Sequence, residues 1–110
     1  MFGIFGDSLE RLFVKELRER GVKLPKPATK EMVALALSAI DPAHRGLPGD
    51  YGRNLGEDTV LHFAGWTARI VHRAAGRPDR RTAIDRDLYP ETEAEIRAVL
   101  VRHGVVGPAG

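Results

Sequence analysis

Hydrophobic residues recur along most of this chain at the three- and four-residue spacing of an α-helix. The first such segment covers residues 8–20. Its apolar stripe consists of Leu9, Leu12, Phe13 and Leu17. We expect Asp7 and Glu10 to form a capping box at its start, and Gly21 to end it. Glu16 and Arg20 lie at the end of this stripe. We expect this pair to be solvated where the helix leaves the core, because burial of charge is costly; the alternative is a buried ion pair.

A second helix is predicted over residues 29–40, after an extended segment "VKLPKPAT" in which two prolines disfavour helix. Thr29 is its expected N-cap. Its polar positions form only a narrow strip: Lys30, Glu31 and Ser38. Because a helix that is apolar nearly all round belongs in the middle of a bundle, we expect this helix to be the central one.

Residues 41–56, "DPAHRGLPGDYGRNLG", contain four glycines and two prolines and have neither a helical nor a strand period. Structureless connections beyond about 12–15 residues are uncommon and usually functional or disordered. We expect an ordered loop in which Leu47, Tyr51 and Leu55 cover one side of the second helix.

A third helix is predicted over residues 57–75, a short one over 79–87, and the last over 93–103. We expect Thr92 and Glu95 to cap the last helix and Gly104 to end it. The predicted fold is therefore an all-α bundle of four main helices and one short helix. It forms a single domain over residues 1–110, with a docking segment at 1–6 and a frayed tail at 105–110.

Composition narrows the possible chemistry. The 110 residues include no cysteine, which excludes disulfides, thiolate zinc sites and cysteine nucleophiles. The chain contains no phosphate-binding loop, nucleophile elbow or zinc-protease motif. Its apolar runs are too short to span a bilayer. We therefore expect a cytoplasmic protein with no cofactor, no bound metal and no membrane partner.

The charges are unevenly distributed, although the formal net charge is only +2. Residues 69–81 are rich in arginine: Arg69, Arg73, Arg77, Arg80 and Arg81. The following stretch, 85–95, is rich in acidic residues. We favour pairing of these arginines with Asp85, Asp87 and the acidic residues before Thr92 over phosphate contacts. A helix-turn-helix interpretation of the arginine-rich segment fails because His72, Thr82 and Asp85 occupy positions where that motif needs small or apolar residues.

The candidate binding site is the outward face of the third helix, together with two residues of the long loop. Its residues are Asp58, His62, Trp66, Arg69, Arg73, Tyr51 and Arg53. Arginine beside tryptophan is typical of recognition surfaces, since both side chains supply planar contact area. The alternative is that Trp66 packs under the loop. Asp58 and His62 could reach one metal ion, but we favour a hydrogen bond between them.

These patterns predict a non-enzymatic protein-binding module with a regulatory, adaptor or inhibitor-like role, whose partner is another protein. The alternative is a nucleic-acid-binding protein that uses the arginine-rich segment 69–81, and the third possibility is an enzyme. The sequence leaves the oligomeric state open.

Overall fold

The computed structural model describes residues 3–39, 50–77 and 89–108. The helices in these ranges are α1 (Gly3–Glu19), α2 (Lys26–Ser38), α3 (Asp50–Ala74) and α4 (Pro90–Arg102). The same ranges contain no strand. The predicted all-α class is therefore confirmed, while the predicted short helix at 79–87 lies outside the described residues.

Helix α1 starts earlier than its sequence predicts. It begins at Gly3, so Asp7 lies inside the helix and the capping box with Glu10 is wrong. Residues 3–6, which belong to the expected docking segment, form the first turn of α1. The predicted apolar stripe is confirmed, with Phe13 completely buried.

Three helices end in the same way, at a glycine in the left-handed region. Gly21, Gly76 and Gly104 have φ values of 78°, 72° and 69°. At the end of α1, the Val22 N–H donates to the Leu17 carbonyl over 2.9 Å, while the Gly21 N–H donates to that of Arg18. This is a Schellman motif, in which the glycine conformation satisfies carbonyls that the helix leaves open.

Helix α2 begins at Lys26, three residues before its predicted start. Thr29 is therefore not the N-cap; it is buried inside the helix, and its hydroxyl donates to the Pro25 carbonyl over 3.2 Å. Pro27 lies in the first turn, where a missing N–H removes no helical hydrogen bond. Proline therefore starts this helix instead of delaying it.

Helix α3 includes residues 50–56, which the sequence predicts to be loop. A glycine inside a helix costs only about 1 kcal/mol, so Gly52 and Gly56 do not prevent helix formation when other contacts favour it. The sequence does carry a helical signal here, because Tyr51 and Leu55 are four residues apart in line with Thr59. The rest of the predicted loop lies outside the described residues.

The most enclosed helix is α3, not α2. Every residue from 62 to 68 is buried, so neighbouring elements cover this helix on all sides. It contacts α1, α2 and α4, and its most extensive packing is with α1. Helix α2 also contacts the three other helices, but Leu35 and Leu37 are only partly buried. The buried side of α2 consists of Ala28, Thr29, Met32, Val33 and Ala36.

The last helix, α4, begins at Pro90 with Tyr89 as its N-cap and without a side-chain capping hydrogen bond. The capping box of Thr92 with Glu95 is therefore wrong, because a proline already starts the helix upstream. The predicted end at Gly104 is confirmed. The expected frayed tail is not frayed at its start, since Val106 is buried and Val105 packs against the core.

The charged pair at the end of α1 is largely buried, contrary to expectation. The Arg20 Nε donates to the Glu16 carboxylate over 2.9 Å, and their side chains are only 9% and 19% exposed. The carbonyl of Arg20 also accepts a hydrogen bond from His72 Nε2 over 2.6 Å. The end of α3 therefore covers the end of α1, which withdraws the pair from solvent.

We expect Met32→Ala to destabilise the protein by about 2–5 kcal/mol, because Met32 is completely buried in the core. Leu35→Ala should cost less, since Leu35 keeps part of its surface in water. The free energy of unfolding, measured in urea by the fluorescence of the single tryptophan, checks both values. An equal or larger cost for Leu35→Ala would contradict this arrangement of α2.

Candidate functional site

The predicted binding face of α3 divides into a buried part and an exposed part. His62 and Trp66 are buried, at 8% and 9% relative exposure. Asp58 and Arg73 are exposed, and Arg69 is partly buried. The side chains of Tyr51 and Arg53 lie outside the described part of the chain. The residues predicted to form one outward surface are therefore not presented to a partner together.

His62 is oriented by the helix turn that precedes it. Its Nδ1 lies 2.8 Å from the carbonyl oxygen of Asp58, and 3.6 Å from the Asp58 carboxylate. Because a carbonyl only accepts, Nδ1 carries the proton in this hydrogen bond. The hydrogen bond of this pair is therefore made by the Asp58 backbone and not by its carboxylate. Among the described residues, no group of three or more His, Asp or Glu is placed to hold a metal ion.

Trp66 belongs to an aromatic cluster with its neighbours on α3. Its ring centroid lies 5.2 Å from that of Phe63 and 5.9 Å from that of His62, with tilted ring planes. Tilted aromatic pairs at this separation add about 0.5–1.5 kcal/mol to the stability that burial supplies. Trp66 therefore contributes to the core of the protein.

One arginine of the segment 69–81 lies beside an acidic residue of α4, while the expected partners Asp85 and Asp87 lie outside the described residues. The Arg73 guanidinium lies 3.7 Å from the Glu93 carboxylate, and the two side chains remain 51% and 36% exposed. An exposed pair of this kind contributes about 0–1 kcal/mol. Arg80 and Arg81 lie outside the described residues.

A different surface combines shape with charge: an open groove of about 630 Å³ between α1 and the start of α2, here called the α1–α2 groove. Its lining residues are Glu10, Arg11, Val14, Lys15, Arg18, Glu19, Lys26 and Lys30. A smaller pocket of about 310 Å³, here called the inner pocket, continues from it. The inner pocket adds Leu17, Val22, Lys23, Leu24 and Thr29 to this surface.

The rim of the groove is strongly positive. Five of its cationic side chains line the groove itself, and a sixth, Lys23, lines the inner pocket. None of the six side chains forms an ion pair with a carboxylate among the residues that the structure describes. The first turn of α2 has no acidic residue either, so nothing there offsets the positive end of the helix dipole.

Sequence reasoning missed the α1–α2 groove, although part of its signal is present in the chain. Arg11, Lys15 and Arg18 follow one another at four- and three-residue spacing, which places them along one face of α1. Lys26 and Lys30 repeat this spacing on α2. The sequence pattern does not specify the angle at which α1 and α2 meet. That angle brings the two cationic faces together.

A second cluster of ionisable groups joins α2 to α4. The Glu31 carboxylate accepts a hydrogen bond from the Arg102 guanidinium and another from His103 Nε2, the latter over 3.1 Å. These two hydrogen bonds, first that of Arg102 and then that of His103, lower the pKa of Glu31 below its ordinary value. The cluster joins α2 to the end of α4.

No known protein family, no curated protein and no solved structure shows a significant similarity to this chain. Within the described ranges, no helix is long and apolar enough to cross a membrane.

We expect Trp66→Ala to destabilise the protein by about 3–5 kcal/mol, because it empties a large buried volume beside Phe63. Trp66→Phe should cost less, since it keeps a ring at this position. Urea unfolding followed by far-ultraviolet circular dichroism measures both. A cost below about 1 kcal/mol for the alanine variant is typical of an exposed side chain. Such a result would mean that Trp66 lies at the surface.

The contacts of Glu31 predict how the stability of the protein changes with pH. Folding lowers the pKa of Glu31. The stability that the ionised Glu31 contributes is therefore present above the ordinary pKa of a glutamate, and it is lost as pH falls through the lowered pKa. The stability difference between wild type and Glu31→Gln should therefore shrink on acidification. Carbon-detected NMR titration of the Glu31 carboxyl checks the direction of the shift, and titration at or above the ordinary value of a glutamate would contradict it.

Proposed function

We propose that this protein is a non-enzymatic protein-binding module, in a regulatory, adaptor or inhibitor-like role, and that the α1–α2 groove receives an acidic segment of its partner. The observation that carries the proposal is the set of cationic side chains around Val14 and the apolar bottom of the adjoining inner pocket. Cationic side chains that make no ion pair within the described chain are available to carboxylates of a partner. Complementary charge of this kind speeds association and selects among partners.

The lining of the groove favours a protein partner over nucleic acid. Protein interfaces combine an apolar centre with a polar rim, and Val14 lies between the cationic residues of the two helices in this way. Proteins that bind single strands use aromatic side chains as stacking platforms, and the groove lining includes none.

The arginine-rich segment 69–81 supports the nucleic-acid alternative less well than its composition suggests. Arg73 already has Glu93 as an ionic neighbour, and Arg69 is only partly exposed. The α3 face expected to bind a partner is also weakened as a proposal, because Trp66 and His62 contribute to the core. The proposal keeps the expected cytoplasmic location, which microscopy of a fluorescent fusion in native cells would test.

A titration of the full chain with a short peptide of glutamate and leucine residues tests the proposal. We expect the peptide to shift the backbone NMR signals of residues 10–30 and to bind less tightly as salt is added. The double variant Lys15→Glu with Lys26→Glu places one reversed charge on each side of the groove. It should weaken peptide binding by about tenfold or more, because it replaces attraction with repulsion. Both residues are exposed, so stability should change little.

The matched control is Arg73→Glu with Arg77→Glu, which changes the net charge equally at exposed positions at the end of α3. We expect this control to keep peptide affinity within about twofold of wild type, since screened charges outside the interface contribute little. Equal losses in the two double variants would mean that net charge alone drives binding. Tighter binding of duplex DNA than of the peptide, lost in the Arg73 and Arg77 variant, would favour the nucleic-acid alternative.

A further inference from the structure

The inner pocket differs from the open groove in its chemistry. Its volume is about half as large, and its bottom is formed by Leu17, Val22 and Leu24. These three side chains are only 1%, 5% and 8% exposed, so the pocket reaches down to the hydrophobic core. Val14 on α1 forms the wall that the pocket shares with the groove.

The pocket is held in shape by backbone geometry before any ligand arrives. Leu17 and Val22 are joined by the 2.9 Å hydrogen bond of the Schellman motif, which depends on the left-handed conformation of Gly21. The chain then runs through a nonhelical segment to Pro25, whose φ of −58° is fixed by its ring. A site formed in advance loses little conformational entropy when it binds, so contacts there contribute fully to affinity.

We infer that the inner pocket is a specificity-determining subsite, which takes one leucine-sized apolar side chain of the acidic partner segment. The inference rests on the function proposed above and adds the identity of the residue that the partner must supply. About 310 Å³ lies at the lower end of ligand-binding cavities, and it accommodates a bulky aliphatic side chain together with the backbone on either side of it. Apolar walls attract an aliphatic group, which leaves water on insertion.

The charged rim sets what must flank that side chain. Arg18, Lys23 and Lys26 stand around the mouth of the pocket, with Glu10 as the acidic group among them. Carboxylates next to the inserted residue would lie close to ammonium and guanidinium groups, and a basic neighbour would meet the same cations with like charge. The recognised element is therefore a bulky aliphatic residue with acidic neighbours. Such an element would use both the apolar bottom of the pocket and its cationic rim.

Two short peptides of equal charge test the inference: a glutamate-rich peptide with one central leucine, and the same peptide with alanine in that place. Wild type should bind the leucine peptide about ten- to a hundredfold more tightly, as expected when a hydrophobic pocket loses several carbon atoms of its ligand. Val14→Phe places a ring in the wall of the pocket. It should remove the preference for leucine, so that the variant binds the leucine and alanine peptides about equally.

The matched control is Val101→Phe, at a partly buried valine of α4 that does not line the groove or the inner pocket. This variant should keep the preference for leucine. If Val14→Phe does not fold, Val14→Ala is used instead. This variant enlarges the pocket, so it should bind a peptide with a central phenylalanine more tightly than the leucine peptide. Folding of each variant is checked by circular dichroism before titration.

The outcomes separate this inference from the proposed function. Binding of the leucine and alanine peptides with equal, salt-sensitive affinity overturns the subsite and leaves the acidic-segment proposal standing. Failure of both peptides to bind overturns both. A folded Val14→Phe variant that still prefers leucine places the apolar contact elsewhere. The last measurement uses vesicles of anionic phospholipid. Binding to the vesicles without binding to either peptide would mean that the pocket takes a lipid acyl chain.

Discussion

The enclosure of the middle of α3 is the constraint on which the rest of the fold depends. Buried residues run without interruption from 62 to 68, so the helix must have neighbours on all sides. Three of these residues are small, Ala64, Gly65 and Ala68, and small side chains allow neighbouring helices to approach closely. Since α1, α2 and α4 all contact α3, its position determines where their remaining surfaces face.

This constraint explains why the conspicuous residues of the sequence are not the ones on the surface. Trp66 and His62 lie within the enclosed segment and are removed from solvent by the same neighbours that bury Phe63. The apolar side of α1 also turns toward α3, so its cationic side faces outward. That outward side meets the start of α2, and the α1–α2 groove is the result.

The turn between α1 and α2 connects stability with the proposed binding. Gly21 in its left-handed conformation ends α1 and directs Val22 into the core, where it forms the bottom of the inner pocket. The same turn is packed from the other side, because His72 of α3 donates a hydrogen bond to the Arg20 carbonyl. The pocket is therefore formed by residues that the fold needs in any case, and a partner requires no rearrangement of this turn.

Local chemistry decides the helix ends that the sequence predicts correctly. Gly21, Gly76 and Gly104 end helices because only glycine adopts positive φ without strain, and this preference is independent of the rest of the fold. The helix starts are predicted less well, because three helices begin upstream of the expected caps Asp7, Thr29 and Thr92. Pro27 and Pro90 start their helices upstream, and α3 runs through Gly52 and Gly56 despite their weak helix propensity.

The all-α class, the glycine stops and the apolar stripe of α1 could be determined from the sequence alone, because they depend on residue spacing and backbone preference within a few turns. The burial of Trp66, the inward pairing of Glu16 with Arg20 and the existence of the α1–α2 groove could not. Each depends on which element approaches from elsewhere in the chain. Sequence spacing specifies which side chains share a face of one helix; packing alone decides whether another helix covers that face or leaves it open beside a second one.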